Sequence, residues 1–263
     1  MHKFSLGCDP ELFLVGPDGG LVSSIGKIGG SKVDPRPIDG LPEGYGVQED
    51  NVALEFNTPP AENKETFVGN IGRALSSLRN EISMQMLEFS PLSAAAFPVE
   101  QLMDPAAQEF GCDPDFNAWT GKRNPRPSAT DPTLRSCGGH VHVGYKFNTK
   151  ADAQRFIRYM DLFMGVPSVI MDNGELRKEL YGKHGAFRFK PYGVEYRTLS
   201  NFWIQDPKLI EWVWDSVELA MTHFDKKDID IDNLHDQIAS AIDNNDKALA
   251  QQLIQTFNCI VVK

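Results

Sequence analysis

The sequence predicts an α+β protein that combines short strands with long helices, and two observations support this prediction. Apolar stretches at 64–89, 150–171 and 207–224 predict helices, and in the first of them apolar residues recur at three- and four-residue steps. Strand-like segments that carry acidic or histidine side chains are the second observation. These segments are CDPEL (8–12), EDNVALEF (49–56), GGHVHVG (138–144) and FRFKPYGVEYR (187–197).

Local signals place the elements in chain order. The turn signal GPDGG (16–20) is expected to join the first two strands as a hairpin, and Asn63 is expected to cap the first long helix. Residues 25–47 are rich in Gly and Pro and predict a loop over the site, while residues 100–135, rich in Pro and Asn, predict a second long loop. The predicted strands cover 3–15, 21–24, 51–58, 92–98, 136–147 and 185–200.

Length and composition are typical of a globular protein with one main core. The 263 residues include 41% hydrophobic and 24% charged residues, and a chain of this length can bury a full core. We divide the chain into a catalytic domain at 1–225 and a helical appendage at 226–263. The appendage is acidic and predicts two short helices that break near 243–246.

The charge balance argues against a direct nucleic-acid-binding surface. The formal net charge is −10 and the pI is near 5.1, whereas binding to phosphate backbones needs clustered Lys and Arg. No stretch approaches the length of a membrane span, and the first residues do not form a secretory signal. We therefore expect a cytoplasmic protein with an acidic cavity that needs cations.

The four cysteines are expected to be free thiols. Cys8, Cys112, Cys137 and Cys259 are far apart and form no CxxC pair. Neither a zinc site nor a disulfide framework is indicated.

Strand alternation places the charged side chains of the site segments on shared faces. Side chains at i and i+2 point to the same side of a strand, so Asp9 lies with Glu11 and His140 lies with His142. The same rule aligns Glu195 with Arg197 further along the chain. Because unpaired buried charges are costly, such a face predicts a metal, a ligand or a network of ion pairs.

The residue types favour chemistry on a metal-bound nucleoside triphosphate. Carboxylates are ligands that Mg²⁺ prefers, and a histidine among them is compatible with Mg²⁺, Mn²⁺ or zinc. Arg188, Lys190 and Arg197 supply the positive charge that phosphoryl transfer requires. An ATP- and Mg²⁺-dependent enzyme, with Mn²⁺ as an alternative ion, is the favoured interpretation.

The residues alone leave other interpretations open. His140 and His142 are also compatible with two polar residues on a half-exposed strand, and Glu195 with Arg197 is compatible with a structural ion pair. A metal-dependent hydrolase could use His140, His142 and nearby carboxylates around zinc. A catalytically inactive binding protein is the third class, although none of the main ligand positions is lost.

Several motifs, in this order along the chain, resemble the phage-type carboxylate–amine ligases (COOH.NH2 ligase type 2), a branch of the glutamine synthetase and glutamate–cysteine ligase superfamily. The resemblance covers roughly residues 4–203, and the tail after about residue 225 is expected to lie outside it. The joint occurrence of these motifs is far more specific for the family than any one motif. The motifs are CDPEL, ED followed by ALEFNTPPA, FGCDPDFNAW, CGGHVHVGY and YGKHGAFRFKPYGVEYRTLSNFW.

This resemblance implies a glutamine synthetase-like curved antiparallel sheet with helices on its convex face, and with ATP and two or more Mg²⁺ ions on its concave face. Asp9 stands where the superfamily more often has Glu. The metal ligands that the resemblance implies are Asp9, Glu11, Glu55, His140 and Glu195. The implied contacts to the phosphates are His142, Arg188, Lys190 and Arg197.

The reaction that the resemblance implies joins a carboxylate to an amine through an acyl phosphate. The substrates are small molecules or peptides, an oligomer is possible, and a phage-encoded enzyme would act in the host cytoplasm. Asp50 is the first candidate for the side chain that attracts the amine and accepts its proton, and Glu49 is the second. Arg188 is expected to neutralise charge on the transferred phosphoryl group.

Overall fold

The fold is built around one large antiparallel sheet with helices against it. A computed structural model describes residues 3–108, 115–125, 127 and 130–262. Within these ranges the strands are β1 (Ser5–Leu12), β2 (Leu14–Val15), β3 (Leu21–Val22), β4 (Arg36–Pro37), β5 (Gly46–Asp50), β6 (Ala53–Asn57), β7 (Glu88–Phe89), β8 (Ala94–Ala96), β9 (Phe116–Asn117), β10 (Leu134–Ser136), β11 (Gly139–Gly144), β12 (Ala186–Lys190) and β13 (Gly193–Tyr196). The helices are α1 (Lys64–Ser83), α2 (Pro105–Gln108), α3 (Lys150–Met160), α4 (Val166–Met171), α5 (Pro207–Lys226), α6 (His235–Asp243) and α7 (Lys247–Phe257).

The large sheet has eight strands in the order β4-β5-β6-β1-β11-β13-β12-β9, and neighbouring strands pair antiparallel. β1 is central, because it pairs with β6 on one side and with β11 on the other. Its sequence alternates, so that Leu6, Cys8 and Leu12 are buried while Asp9 and Glu11 lie on the opposite face. The α+β class that the sequence predicts is therefore confirmed, with an antiparallel sheet.

The helices cover the apolar face of this sheet. In α1 the buried side chains recur at helical spacing, as in Phe67, Ile71, Leu75 and Leu78, and they belong to the same core as the apolar residues of β1, β11 and β13. The predicted cap is present, since the Asn63 side chain accepts a hydrogen bond of 2.8 Å from the Thr66 N–H. Helices α3 and α5 pack against each other in the same core.

The tail folds as the two short helices that the sequence predicts, α6 and α7, with a break at Asn244–Asp246. α7 packs on α4, and Ile238, Ile242 and Leu253 are buried in the main core. The division of the chain at residue 225 into a domain and an appendage stays a prediction.

Several predicted boundaries are wrong. Two predicted strands are interrupted by tight turns, and one predicted helix is too long. The stretch 185–200 is the hairpin β12–β13, with its turn at Pro191 and Tyr192. Asn51, with a φ of 55°, turns the chain between β5 and β6, so within the stretch 51–58 only Ala53–Asn57 forms a strand. Helix α1 ends at Ser83 instead of Phe89, because β7 follows and pairs with β2.

Three cysteines within the described ranges, Cys8, Cys137 and Cys259, are buried free thiols, as expected. Cys112, together with residues 110–114 of the FGCDPDFNAW motif, lies outside the described residues. Among the residues that the structure describes, no helix is both long enough and apolar enough to cross a membrane.

Candidate active site

The polar face of the sheet carries two clusters of ionisable side chains, and the first is centred on Asp9. Asp9 and His140 are directly opposite each other in the register of β1 and β11. The Asp9 carboxylate lies 3.2 Å from His140 Nδ1 and 3.0 Å from His142 Nε2. Asp9, His142 and Glu195 offer ligand atoms that all lie within 4.8 Å of one another. We call these three residues the His–carboxylate cluster.

Cationic side chains surround Glu195, the third member of this cluster. Lys190 Nζ lies 2.7 Å from one carboxylate oxygen, Arg188 Nη1 lies 3.5 Å from the other, and Arg197 contacts that same oxygen. The register explains the convergence, because Glu195 on β13 faces Arg188 on β12 and His142 on β11. The chain itself therefore balances the charge of Glu195.

The pKa directions follow from this arrangement. Burial raises the pKa of Asp9, but His142 and His140 outweigh burial and hold that pKa well below its ordinary value. Burial also opposes ionisation of Glu195, yet Arg197 lowers its pKa to about 2. Burial and the Arg197 guanidinium lower the pKa of His140 to about 4. At neutral pH the two carboxylates are ionised and His140 is neutral.

The second cluster consists of three carboxylates on β1, β5 and β6, and we call it the carboxylate cluster. Oxygens of Glu11, Asp50 and Glu55 all lie within 4.8 Å of one another. Glu11 and Glu55 face each other in the register of β1 and β6. The Gly138 N–H donates a hydrogen bond of 2.7 Å to Glu11, and the Gln48 side-chain amide donates one of 2.9 Å to Glu55.

The carboxylate cluster lacks the balance of charge found around Glu195. Burial, followed by the negative charge of Asp50, raises the pKa of Glu11 to about 7. Burial and the neighbouring acids Asp9, Asp50 and Glu11 raise the pKa of Glu55 well above its ordinary value. A proton or a cation is therefore needed to hold these carboxylates together at neutral pH.

This donor set fits a hard divalent cation. Mg²⁺ and Mn²⁺ bind carboxylate oxygens, and a cation at the carboxylate cluster would replace the protons that the raised pKa values indicate. Asp9, His142 and Glu195 are a second candidate set. Glu195 already faces Lys190, Arg188 and Arg197, so the carboxylate cluster depends on a bound cation more strongly than the His–carboxylate cluster does.

Apart from Glu195, the residues of both clusters line one cavity of about 540 Å³. This volume is within the usual range for small-molecule sites. The loop 25–47, which the sequence predicts to lie over the site, contributes Lys32 to the cavity wall. The predicted site residues that line the cavity are Asp9, Glu11, Asp50, Glu55, His140, His142, Arg188, Lys190 and Arg197. The Glu195 carboxylate contacts three of these residues.

Glu49 is the predicted site residue that the structure places elsewhere. It precedes Asp50 on β5, so its side chain points to the other face of the strand. Its carboxylate accepts hydrogen bonds from the N–H groups of Ile28 and Gly29, at 3.2 and 2.8 Å. Glu49 therefore holds the loop 25–47, and it does not line the cavity.

The two glycines before His140 have packing roles that the sequence pattern did not reveal. A Cβ at Gly138 would collide with His140 Nε2, and a Cβ at Gly139 would collide with the Ser200 carbonyl and with the Trp203 indole. Only glycine allows this close approach, which fixes the His140 ring beside Asp9.

Sequence reasoning missed three further contacts in the site. The Tyr192 hydroxyl contacts His142 Nδ1, and Gln48 contacts Glu55. Asp115 Oδ2 lies 3.5 Å from Arg197 Nε. The motifs PYGVEYR and FGCDPDFNAW contain Tyr192 and Asp115, so the sequence contained a signal for these two but none for Gln48.

The second long loop contributes less to the cavity than the sequence indicates. In the sequence, Trp119, Lys122 and Arg123 are candidates to cover a nucleotide or substrate, with a packed surface loop as the alternative. Trp119 instead stacks on His235 with ring centroids 4.7 Å apart, and its indole donates a 2.7 Å hydrogen bond to Asp161. None of these three side chains lines the cavity that the described residues form.

Comparisons with known proteins agree with the resemblance that the motifs indicate. Residues 132–260, just under half of the chain, match the family described as phage phiEco32-like COOH.NH2 ligase-type 2. The resemblance to this family is thus confirmed over β11, β12 and β13, which carry His140, His142 and Glu195. The match continues through α6 and α7, so the expectation that the tail lies outside it is wrong.

Comparisons with curated sequences and solved structures add little. No curated protein sequence matches the chain. A bifunctional glutathione synthetase from Pasteurella multocida is 12% identical, with a TM-score of 0.46, and the alignment covers 97% of this chain and 49% of that one. Apo GmaS without ligand is 9% identical, with a TM-score of 0.43, covering 99% of this chain and 70% of that one. The chain thus spans about half the length of the glutathione synthetase, and at these scores neither likeness supports a functional argument.

Proposed function

We propose that this chain, which matches a carboxylate–amine ligase family over residues 132–260, is an ATP- and Mg²⁺-dependent ligase that forms an amide or peptide-like bond. One observation carries the proposal. Three carboxylates that need a cation and three side chains that can neutralise phosphate face the same cavity from neighbouring strands. Phosphoryl transfer from a metal-bound nucleotide uses these two kinds of group together.

The nucleotide base and sugar fit the open groove beside the main cavity. This groove measures about 780 Å³ and shares Lys190 and Tyr192 with the main cavity. Aromatic side chains such as Tyr145 and Phe189 line it, together with Lys3 and Lys150. Aromatic rings can stack on a base, and lysines attract phosphates. A nucleotide that extends from the groove toward Lys190 brings its terminal phosphate to the clusters.

The chain's own residues prepare the triphosphate. Arg188, Lys190 and Arg197 line the main cavity and supply positive charge to phosphate oxygens. Glu195 holds these three side chains in place through its ion pairs. Glu11, Asp50 and Glu55 would hold Mg²⁺, with Asp9, His142 and Glu195 as the second candidate set. When bound, Mg²⁺ neutralises charge on the phosphoryl oxygens.

The reaction has two steps. An oxygen of the substrate carboxylate attacks the γ-phosphorus of ATP, the bond to the bridging oxygen breaks, and ADP leaves an acyl phosphate behind. The amine nitrogen then attacks the acyl carbon, inorganic phosphate leaves with its electron pair, and the amine loses a proton. Asp50 lines the cavity and offers one carboxylate oxygen to the metal set, so its second oxygen is our proposed proton acceptor. Glu49 has no part, because its carboxylate is bonded to the loop backbone.

No observation favours a metal-dependent hydrolase that uses His140 and His142 over the ligase. Both rings lie against Asp9, and His142 also contacts Tyr192. A hydrolase of this kind has less need for Arg188 and Lys190 in the cavity.

The test is ATP turnover with Mg²⁺ in the presence of mixtures of carboxylic acids, amino acids and amines. We expect phosphate release that depends on both an acid and an amine, together with a condensed product in mass spectrometry. Phosphate release that needs no acceptor and gives no condensed product would support a hydrolase. The absence of any turnover with the intact chain would contradict the proposal.

A further inference from the structure

A second, smaller cavity continues from the main one, and we call it the side chamber. Its volume is about 70 Å³. Glu11, Asp50, His140 and Arg197 line both cavities, so the side chamber opens at the carboxylate cluster. Nothing in the nucleotide arrangement described above occupies it.

The side chamber contains a buried positive charge on Arg177. This residue is only 3% exposed. Two of its nitrogens donate hydrogen bonds to the backbone carbonyls of Thr198 and Arg197, at 3.0 and 3.3 Å, and its Nε has no hydrogen-bond partner among the described residues. No described carboxylate pairs with it within 4.0 Å. Glu11 and Asp172 favour its charge only from beyond ion-pair distance, and burial still lowers the pKa of Arg177. A buried guanidinium without a direct ion pair is costly, which indicates that an anionic ligand completes the site.

Of the other two arginines in the chamber wall, Arg197 pairs with Glu195, and Arg135 has a structural role. Its guanidinium donates to the backbone carbonyls of Ala107, Pro132 and Leu134 and to the side chain of Asn51. These bonds hold the chain around the chamber in place. The contrast leaves Arg177 as the side chain suited to an anion.

The walls and the size of the side chamber restrict the ligand. Phe13, Val52 and Leu180 make part of the chamber wall apolar. One water molecule accounts for about 30 Å³ of liquid, so the chamber holds only a few heavy atoms. A short carbon skeleton with a negative charge fits these walls, whereas a nucleotide or a folded partner does not.

We infer that the side chamber binds the acid substrate as a small carboxylate, with Arg177 as its counter-charge. This inference rests on the proposed function and adds the class of acid to it. The apolar wall contacts the carbon skeleton, and the mouth of the chamber directs the substrate toward the carboxylate cluster. The amine must then approach through the larger cavity, which places no comparable limit on its size.

Isothermal titration calorimetry on the intact chain tests this inference. The probes are acetate, propionate, succinate and glutarate, each titrated into protein with Mg²⁺ and a non-hydrolysable ATP analogue. We expect at least one probe to bind, and Arg177→Gln to weaken that binding by about tenfold or more, as expected for loss of a charge-assisted hydrogen bond. Arg177→Lys should recover part of the affinity. Arg79→Gln, a change on α1 outside both cavities, is the matched control and should bind like the wild type.

A second variant, Ser136→Leu, keeps the charge of Arg177 but fills the side chamber. It replaces Arg177→Gln in the experiment if that variant does not fold. It should abolish carboxylate binding and leave binding of the ATP analogue within about twofold of wild type, because Ser136 does not line the main cavity. If the analogue binds but no carboxylate does, or if both variants bind the carboxylate like the wild type, the inference is overturned. If the wild type does not bind the analogue with Mg²⁺, the proposed function fails, and the inference fails with it.

Discussion

The His–carboxylate cluster and the carboxylate cluster lie on neighbouring strands of one sheet, but they differ in how their charge is balanced. In the first, Glu195 faces Arg188, Lys190 and Arg197, and its pKa is lowered to about 2. In the second, burial and a neighbouring acid raise the pKa of Glu11 to about 7. The first cluster is ionised with partners from its own chain. In the second, Arg177 and Arg197 offset only part of the effect of burial and of Asp50, so a proton or a cation is still needed.

This difference shows how one sheet can prepare two complementary subsites. In the proposed function, Arg188 and Lys190 on β12 and Arg197 just after β13 provide positive charge for phosphate. Strands β1, β5 and β6 bring Glu11, Asp50 and Glu55 together for a metal ion. Preorganised charge of this kind stabilises a transferring phosphoryl group, because it needs little rearrangement during the reaction.

The largest expected effect comes from removing one acid of the carboxylate cluster. Glu11→Gln should lower ATP turnover by about a hundredfold to a thousandfold, the range seen when a preorganised charge-stabilising group is lost. Steady-state turnover with saturating Mg²⁺ measures this loss, and circular dichroism checks the fold. Glu49→Gln makes the same chemical change on the face that is turned away from the cavity, and it should reduce turnover by less than about threefold. Equal losses of turnover in the two variants would contradict the conclusion that Glu11, and not Glu49, faces the active cavity.

A smaller effect is expected from removing one of the cationic side chains around Glu195. Lys190→Met should raise the KM for ATP about tenfold, because a charge-assisted contact with phosphate contributes roughly 1.5–3 kcal/mol. Its effect on Mg²⁺ binding should be minor. Lys208→Met, an exposed change near the start of α5, is the control. An unchanged KM in Lys190→Met would remove this residue from the phosphate subsite.

The pH dependence of stability should also separate the two clusters. The pKa of Glu11 is raised from 4.5 to about 7 in the folded protein, so its contribution to stability is present below the unfolded value and is lost as the pH rises through about 7. The Tm of metal-free protein should therefore fall by a few degrees as the pH rises from about 5 to about 8, and saturating Mg²⁺ should restore it. Scanning calorimetry measures both curves, with Glu11→Gln as the control in which the fall should be smaller, because only Glu55 still has a raised pKa in this cluster. A metal-free Tm that rises steadily over this range would contradict the assignment.

The smallest effect is expected from Tyr192→Phe. This change removes the hydroxyl that contacts His142 Nδ1 and leaves the ring in place. Loss of one hydrogen bond of about 1 kcal/mol should lower turnover by about fivefold, with little change in the fold. Tyr159→Phe, which removes a hydroxyl that donates to the Ile229 carbonyl away from the cavity and the groove, is the matched control. A reduction no larger than in the control would show that His142 does not depend on Tyr192 for its orientation.

Sequence periodicity predicted the elements of the fold well where one face is buried. α1, α5 and β1 were predicted in this way, because their apolar residues recur at helical or strand spacing. The turns at Asn51 and Pro191 were missed, since each lies between two strands with the same composition. Alternation within the separate strands remained correct, so the shared face of Asp9 and Glu11 was predictable even though strand boundaries were not.

The candidate site was predictable as a set of residues but not as two clusters. Alternation cannot tell which strands are neighbours, and the register of β5, β6 and β1 is what unites Asp50, Glu55 and Glu11. Arg177 was not predictable in this way, because it lies in a short helical turn outside the sheet. That it is buried without a direct ion pair is known only from the folded chain.

The central claim is that Glu11, Asp50 and Glu55 together hold a divalent cation beside the triphosphate. A crystal structure of the intact chain with Mn²⁺ and a non-hydrolysable ATP analogue tests it most directly, because the anomalous signal of Mn²⁺ locates the ion independently of the protein. The account predicts an Mn²⁺ peak within coordination distance of oxygens from all three carboxylates, with the terminal phosphate facing Arg188 and Lys190. An ion bound elsewhere, or a triphosphate outside this cavity, would contradict the claim.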